Sequence, residues 1–567
     1  MTRRPVDLVE RVSHLSSNGL NPKGQYDLVK TPDAVEKGHR AGALRDGPPP
    51  TYTSPEVLAL FGQYICVGLM MGVLNNITYP MFTAYFHLEG TRLNSAKALM
   101  NLAWSFKVFI GMMSDCLPLW GMRRKPYMLL GWLINSVCMI ILACKHFGDP
   151  LYIDRSLDGR PLSNLTADEL TRVNVLAPDQ GNFVVLLCTI ATFGHTISDV
   201  CADALVVEYA QREPESHRGR IQSLIYAVRL GAQAASGLVL GICVNSPNFG
   251  GSFSWDIGVN GIFIMLAVAS CLVMPITYFF VHEEKRAAVS VVDYLTQFWA
   301  LAQKRAVWQV MIYLFWSTLL SGFITMTAAD YVKLYWAKVE SFNSALMSTL
   351  GNIILAAVLM LMGSYGTQWN WCTAIVLTTL VSNGLDAIVQ YMTIYDVFRN
   401  QWFYLGVPLA EQLPIGINWA VGMYVIVELA EDGNEGIIYG LLTTVINLPE
   451  IFGAMITNMY CANFKIKSTD IATDASDVRR DVAICYAIIY ATRAISCFLV
   501  QIFPNQKAAC AELKQHGGSY PRVGALVLIS TFLILGGALT SIIMSMFDAT
   551  ACYVFAGGSG CDTSSSN

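Results

Sequence analysis

Residues 104–132 read WSFKVFIGMMSDCLPLWGMRRKPYMLLGW. Two apolar segments meet here through a short loop that opens with Asp115 and closes with Arg123, Arg124 and Lys125. Ions of both signs between hydrophobic helices belong at a membrane surface, where water or a partner still reaches them, rather than in a soluble active site. The stretch therefore predicts two membrane-spanning helices joined by a charged latch.

Composition extends that reading to the whole chain. It is 54% apolar and 14% charged with a mean hydropathy of +0.45, outside the soluble globular range, and apolar windows of about 20 residues recur along it. The expected class is an all-α polytopic membrane protein. A formal net charge of −4 carries no message about nucleic acid, because charge in such a protein is informative by its side of the bilayer. No nucleic-acid partner is expected. Most of the 15 cysteines, among them Cys66, Cys138, Cys188, Cys271 and Cys497, fall inside apolar runs without CxxC or metal-ligand spacing. They read as small core hydrophobes, and neither a metal nor a cofactor is expected.

Residues 1–54 are polar, contain Pro48-Pro49-Pro50 and lack an apolar h-region, so they read as a disordered cytosolic tail. Spans are expected at 57–86, 94–114, 126–145, 182–208, 220–244 and 258–281, within a first six-helix bundle over 55–282. A linker over 283–306 carries a short interfacial helix at 291–303 with Trp299 at headgroup level. Spans at 307–330, 344–365, 371–396, 403–429, 436–460 and 481–503 make a second bundle over 307–505. The apolar run 522–547, within the segment 506–567, is a thirteenth span that places Cys552 and Cys561 in an oxidising space where they could pair.

With the tail cytosolic, Arg123, Arg124, Lys125, Arg212, Arg218 and Arg220 fall on the inner side, against Arg92 and Lys97 in short outer loops. The second half gives no such signal. The sequon Asn164-Leu165-Thr166 then lies in the long outer loop, where glycosylation would require it. A faint repeat relates the halves: Val207-Glu208 to Val427-Glu428, Gly219 to Gly440, and Arg229 to Glu450. Parallel halves around a central site are a common plan of secondary transporters.

The opening stretch resembles a lengthened form of the Gly-x-x-x-Asp…Gly-x-Arg-Arg loop of the major facilitator superfamily. In detail it is similar to the folate–biopterin transporter family, including its protozoan branch. The resemblance rests on Trp104, Lys107, Gly111, Ser114-Asp115, Pro118, Gly121, Arg123-Arg124 and Tyr127, on Ser198-Asp199-Val200, Ala202-Asp203-Ala204 and Glu208, and on Gly219, Gln222-Ser223, Arg229 and Gly231. It implies a six-plus-six helix bundle with an extra C-terminal span, and a carrier of folates and pterins. Related members carry other small metabolites, including S-adenosylmethionine and pyruvate.

Three ionisable residues, Lys107, Asp199 and Arg229, lie well inside first-half spans. At ~1.5 Å per residue they reach the middle of a hydrocarbon core of ~30 Å. Lone charges there are costly, so they should face a cavity and one another. Two roles stand: a static ion pair that pins helices, or a substrate or proton site. The expected substrate-binding set is Lys107, Asp199, Arg229, Tyr226, Trp419 and Glu450, with Glu450 opposing Arg229 across an empty cavity. Asp115, Arg123, Arg124, Asp203, Glu208, Arg218 and Glu428 are expected to form an inside gate. His195 reads as a structural histidine or a proton relay. Asp386 and Glu411-Gln412 are polar span residues without an assigned role, while Tyr226, Trp316 and Trp419 could stack on a flat ring, although aromatics in spans usually serve packing or interface belts.

No HExxH, GxSxG or phosphate-loop motif is present, which argues against a polytopic enzyme and against ATP as a direct energy source. The expectation is a proton-coupled secondary carrier of a small organic solute, monomeric and multi-pass in the plasma membrane.

Overall fold

A computed structural model of the chain describes residues 50–213, 220–283, 285, 288–365, 369–429, 435–558 and 560–561. Most of the expected tail, residues 1–49, and Arg218 lie outside the described residues. Among these the chain is helical, with isolated bridges in place of strands. In a bilayer every backbone N–H and C=O must be satisfied within the protein, and the helix does this from the segment alone.

The first bundle contains α1 (Pro55–Asn76), continued by a π-helical stretch Thr78–Tyr85; α2 (Gly90–Asn101) and α3 (Lys107–Cys116), joined by the 3₁₀ turn Leu102–Phe106; α4 (Lys125–Cys144); α5 (Ala177–Gln211); α6 (Arg220–Cys243); and α7 (Gly258–Phe280). The amphipathic α8 (Val291–Ala302) follows. The second bundle contains α9 (Arg305–Thr318), α10 (Ser341–Ser364), α11 (Trp371–Ile394), α12 (Gln401–Leu429), α13 (Glu435–Cys461) and α14 (Ser476–Leu499). Beyond α15 (Lys507–His516) lies α16 (Pro521–Met546), the expected extra helix. Eleven helical segments among the described residues are long and apolar enough to cross a membrane. The broken α2–α3 unit and the 29-residue α12 complete the thirteen.

The face where α1, α4 and α9 begin is called proximal here, and the opposite face distal. Each bundle has its own apolar core, one around Met70, Phe82, Trp132 and Phe263, the other around Val310, Trp371, Val425 and Leu442. Helix pairs in the first bundle approach at small residues, because within lipid the attraction between helices comes from close packing. A Cβ built on Gly131 of α4 would stand 2.4 Å from the Gly194 carbonyl oxygen of α5. Nothing larger than glycine fits there without moving a helix.

The span that starts with α9 is interrupted between Phe323 and Ala329. Its freed backbone groups are taken up by α13: Thr325 N–H donates to Thr457 Oγ1 at 3.1 Å, and the Tyr460 hydroxyl donates to the Thr325 carbonyl. Broken backbone at membrane depth survives only with such partners.

The two bundles are tied together at the distal face. Tyr331 Oη donates to the Leu88 carbonyl at 2.8 Å, Tyr335 Oη to Asp158 at 2.8 Å, and Phe342 N–H to Asn245 Oδ1 at 2.9 Å. Helix α16 lies along the seam, where Ala538 and Ile542 pack with Ala98 of α2 and Ile451 of α13. Its distal end continues into a loop closed by a Cys552–Cys561 disulfide and held to Arg92 through Asp548. One expectation is corrected here: Lys97 is not an outer-loop cation. It sits within α2 and pairs with Asp330, because α2 already starts at Gly90 and turns this face inward.

Candidate functional site

Two ionic groups occupy the interior. In the first, α3, α5 and α6 bring Lys107, Asp199 and Arg229 together as their depths predicted. Lys107 Nζ and Arg229 Nη1 each lie 3.1 Å from the Asp199 carboxylate, which is fully buried. Trp104 presents its ring to both cations, 4.7 Å from Lys107 Nζ and 5.4 Å from the Arg229 guanidinium. Asp203, one turn along α5, joins this group rather than the gate: Lys107 Nζ is 3.5 Å away, and Tyr64 and Tyr226 donate to it at 2.5 and 3.3 Å. Residues four apart share a helix face, so Asp199 and Asp203 answer the same two cations. Two acids on two bases make a charge-balanced cluster with little reason to bind a further ion.

The second group lines a cavity of about 690 Å³ between the bundles. Lys97 of α2 meets Asp330 at 2.5 Å. Lys333 donates to Ser344 of α10 and stands over the Tyr79 ring at 4.1 Å. Across the cavity, Arg493 Nη1 of α14 lies 2.9 Å from Glu411 of α12 and 3.3 Å from Asp386 of α11. Glu450 also faces the cavity. It does not oppose Arg229, as the repeat suggested; it accepts a hydrogen bond from Asn101 of α2 at 2.7 Å, while Arg229 is taken by Asp199 and Met71. Trp419, expected to stack on a ring, is 51% exposed on the outside of α12, as is Trp316 at 41% on α9. Neither lines the cavity.

At the proximal face Asp115 and Arg124 form an ion pair at 2.5 Å. Arg123, Arg124 and Glu208 line a small pocket of about 250 Å³ together with Arg212 and Glu283. Glu283 closes the start of α4: its carboxylate accepts the backbone N–H groups of Arg123, Arg124 and Lys125 at 2.7 to 3.0 Å. An acid on the first N–H groups of a helix satisfies orphan donors and suits the helix dipole. Glu428 lies apart from this group, at the end of α12, where its carbonyl accepts from Lys514 of α15 at 3.2 Å. His195 is buried, 3.5 Å from the Asn135 amide and 5.9 Å from the Trp104 ring centre. Asn164 stands exposed at the distal face.

Sequence reasoning passed over Arg493, Asp330, Lys333 and Glu283. Arg493 carried a signal, a lone arginine in IIYATRAISCFL. Glu283 carried none, since only tertiary packing brings the end of α7 to the start of α4.

Residues 67–147 match the model of the BT1 family. Over 422 residues the chain is 23% identical to the folate-biopterin transporter of Synechocystis sp., covering 71% of this chain and 75% of that one. A 144-residue stretch is 26% identical to folate transporter 1 of Plasmodium falciparum, 25% of this chain and 22% of that one. Among solved structures, a D-xylose–proton symporter superposes with a TM-score of 0.55 at 12% identity, over 79% of this chain and 97% of the other. The inward-open xylose transporter of E. coli gives 0.53 at 11% identity, over 81% and 98%. The resemblance to folate–biopterin transporters and the major-facilitator-type fold are borne out, and the chain is a multi-pass membrane solute transporter.

Proposed function

We propose that the chain is a proton-coupled secondary carrier of folate- and pterin-type solutes, working by rocking of its two helical bundles about the central cavity. The observation that carries this reading is the cavity itself, of a size suited to a small organic ligand and lined by acids and bases from both bundles. The named relatives supply the solute class. Arg123, Arg124 and Lys125 at the proximal face support a cytosolic N-terminus. The exposed Asn164 at the distal face fits an outer, glycosylated surface of the plasma membrane.

Within this reading Asp199, held by two cations, positions α3, α5 and α6 and keeps its charge throughout the cycle. Glu450 is the better proton carrier. Among the described residues its partner is the Asn101 amide rather than a cation, and a carboxylate without a counter-charge at this depth is costly when charged. The charged groups on the elements around it are already engaged: Lys97 with Asp330, Lys107 with Asp199, and Arg493 with Asp386 and Glu411. Asp115, Arg124 and Glu208 act as the proximal gate, made when the cavity opens distally and broken when it opens proximally.

Uptake into proteoliposomes containing the purified chain tests the reading. Folate or biopterin accumulation driven by an inward proton gradient is expected. Preference for pyruvate or S-adenosylmethionine would reassign the solute, and folate accumulation that does not respond to the proton gradient would remove the proton.

A further inference from the structure

The cavity is chemically polarised. At one end Asp386 and Glu411 share a single guanidinium nitrogen of Arg493. Asp386 and Gln390 are 4% and 6% exposed, and among the described residues Asp386 Oδ1, Gln390 Oε1, the Tyr490 hydroxyl and Arg493 Nε have no hydrogen-bond partner. Buried polar groups left unpaired cost free energy until a partner reaches them. Two carboxylates on one guanidinium leave negative charge in excess here. At the other end two ammonium groups, Lys97 and Lys333, stand beside one carboxylate, Asp330, and only Lys97 forms an ion pair with it. Donors and positive charge are in excess there. The two groups share no residue; both line one cavity.

The geometry points to a dipolar solute site, in which Asp386, Gln390 and Glu411 take the N–H donors of a planar amino-heterocycle while Lys97 and Lys333 take a carboxylate at the opposite end. A carboxylate beside an amide oxygen accepts adjacent ring N–H and amino donors side by side. An ammonium group is a point charge that suits a carboxylate without demanding its orientation. The unpartnered polar groups make the acid end discriminating: a solute whose ring edge cannot pair with them leaves them unpaired and loses affinity steeply. This assignment rests on the folate and pterin reading, and it adds which end of the solute meets which residues.

The test is equilibrium binding to the full chain in nanodiscs with three probes: biopterin, which has the ring and no carboxylate; p-aminobenzoylglutamate, which has carboxylates and no pteridine; and folate, which has both. Gln390→Leu removes an acceptor without touching an ion pair, and it should weaken biopterin and folate by about tenfold or more while leaving p-aminobenzoylglutamate nearly unchanged. Asp386→Asn should act in the same direction, and a loss of folding in that variant leaves Gln390→Leu to decide. Lys333→Gln should do the reverse, weakening p-aminobenzoylglutamate and folate and sparing biopterin. If the unmodified chain binds folate and biopterin but the variants weaken all three probes alike, or none, the polarised site is wrong and the solute class stands. If the unmodified chain binds none of the three, the solute class falls and this assignment falls with it.

Discussion

The side-chain amide of Asn101 donates to Glu450 at 2.7 Å, joining α2 of the first bundle to α13 of the second at cavity depth. Both helices are irregular at this level. The 3₁₀ turn Leu102–Phe106 follows Asn101, and Pro449 precedes Glu450 inside α13. Nearby, Asn447 donates to the Trp104 carbonyl at 3.1 Å, and Trp104 is the residue whose ring faces Lys107 and Arg229. Changes at Glu450 thus have a short packed route to the Asp199 cluster.

Replacing Glu450 with Gln keeps a group that can pair with Asn101 but cannot release a proton. Solute exchange between equal concentrations should persist, while accumulation driven by a pH gradient should be lost. Vesicle uptake with and without the gradient reads the two separately. Unchanged gradient-driven uptake in Glu450→Gln would move the proton to another group.

Asp199→Asn leaves two buried cations with Asp203 alone. Breaking a buried ion pair by removing one partner costs on the order of 3–5 kcal/mol, so the variant should melt well below the parent in detergent, and addition of solute should not restore it. A variant of normal stability that has lost solute binding would instead make Asp199 a recognition residue.

At the proximal face, Asp115→Asn removes the ion pair with Arg124 and leaves the α4 cap by Glu283 intact. Transport should slow several-fold with equilibrium binding nearly unaltered, since neither residue lines the cavity. Conformational exchange followed by a fluorescent label on the proximal face would show which step changed. Lost binding with normal exchange contradicts a gate.

Asp474, in the distal turn before α14, responds to pH in a defined direction. Burial opposes its ionisation, but hydrogen bonds from Arg399 and Arg479 outweigh that and push the carboxyl down to about 2. An unfolded aspartate titrates near ~3.9. A depressed folded value means the contribution to stability is fully present above ~4 and is lost as the pH falls toward ~2. Thermal melts between these values should fall more steeply for the parent than for Asp474→Asn.

Gly131→Ala should destabilise by roughly 1–3 kcal/mol through overpacking, because the added Cβ meets the Gly194 carbonyl of α5. A melting temperature equal to the parent's would show that α4 and α5 separate easily.

Much of this protein was legible in the sequence by itself. Runs of about 20 apolar residues can satisfy their backbone in lipid only as helices, so the thirteen segments and the short amphipathic α8 followed from composition and spacing. The convergence of Lys107, Asp199 and Arg229 also followed, from depth along helices of fixed rise and from the cost of leaving any of them alone. Tertiary structure decided what depth cannot: which way around its helix axis each polar residue points, and which helix it meets. That rotation sent Asp203 to the buried cluster instead of the gate, turned Trp419 outward, gave Glu450 to Asn101, and put Arg493, Asp386 and Glu411 from three separate helices at one end of the cavity. Residues so far apart in the chain share no periodicity, and only the packing of α11, α12 and α14 makes them neighbours.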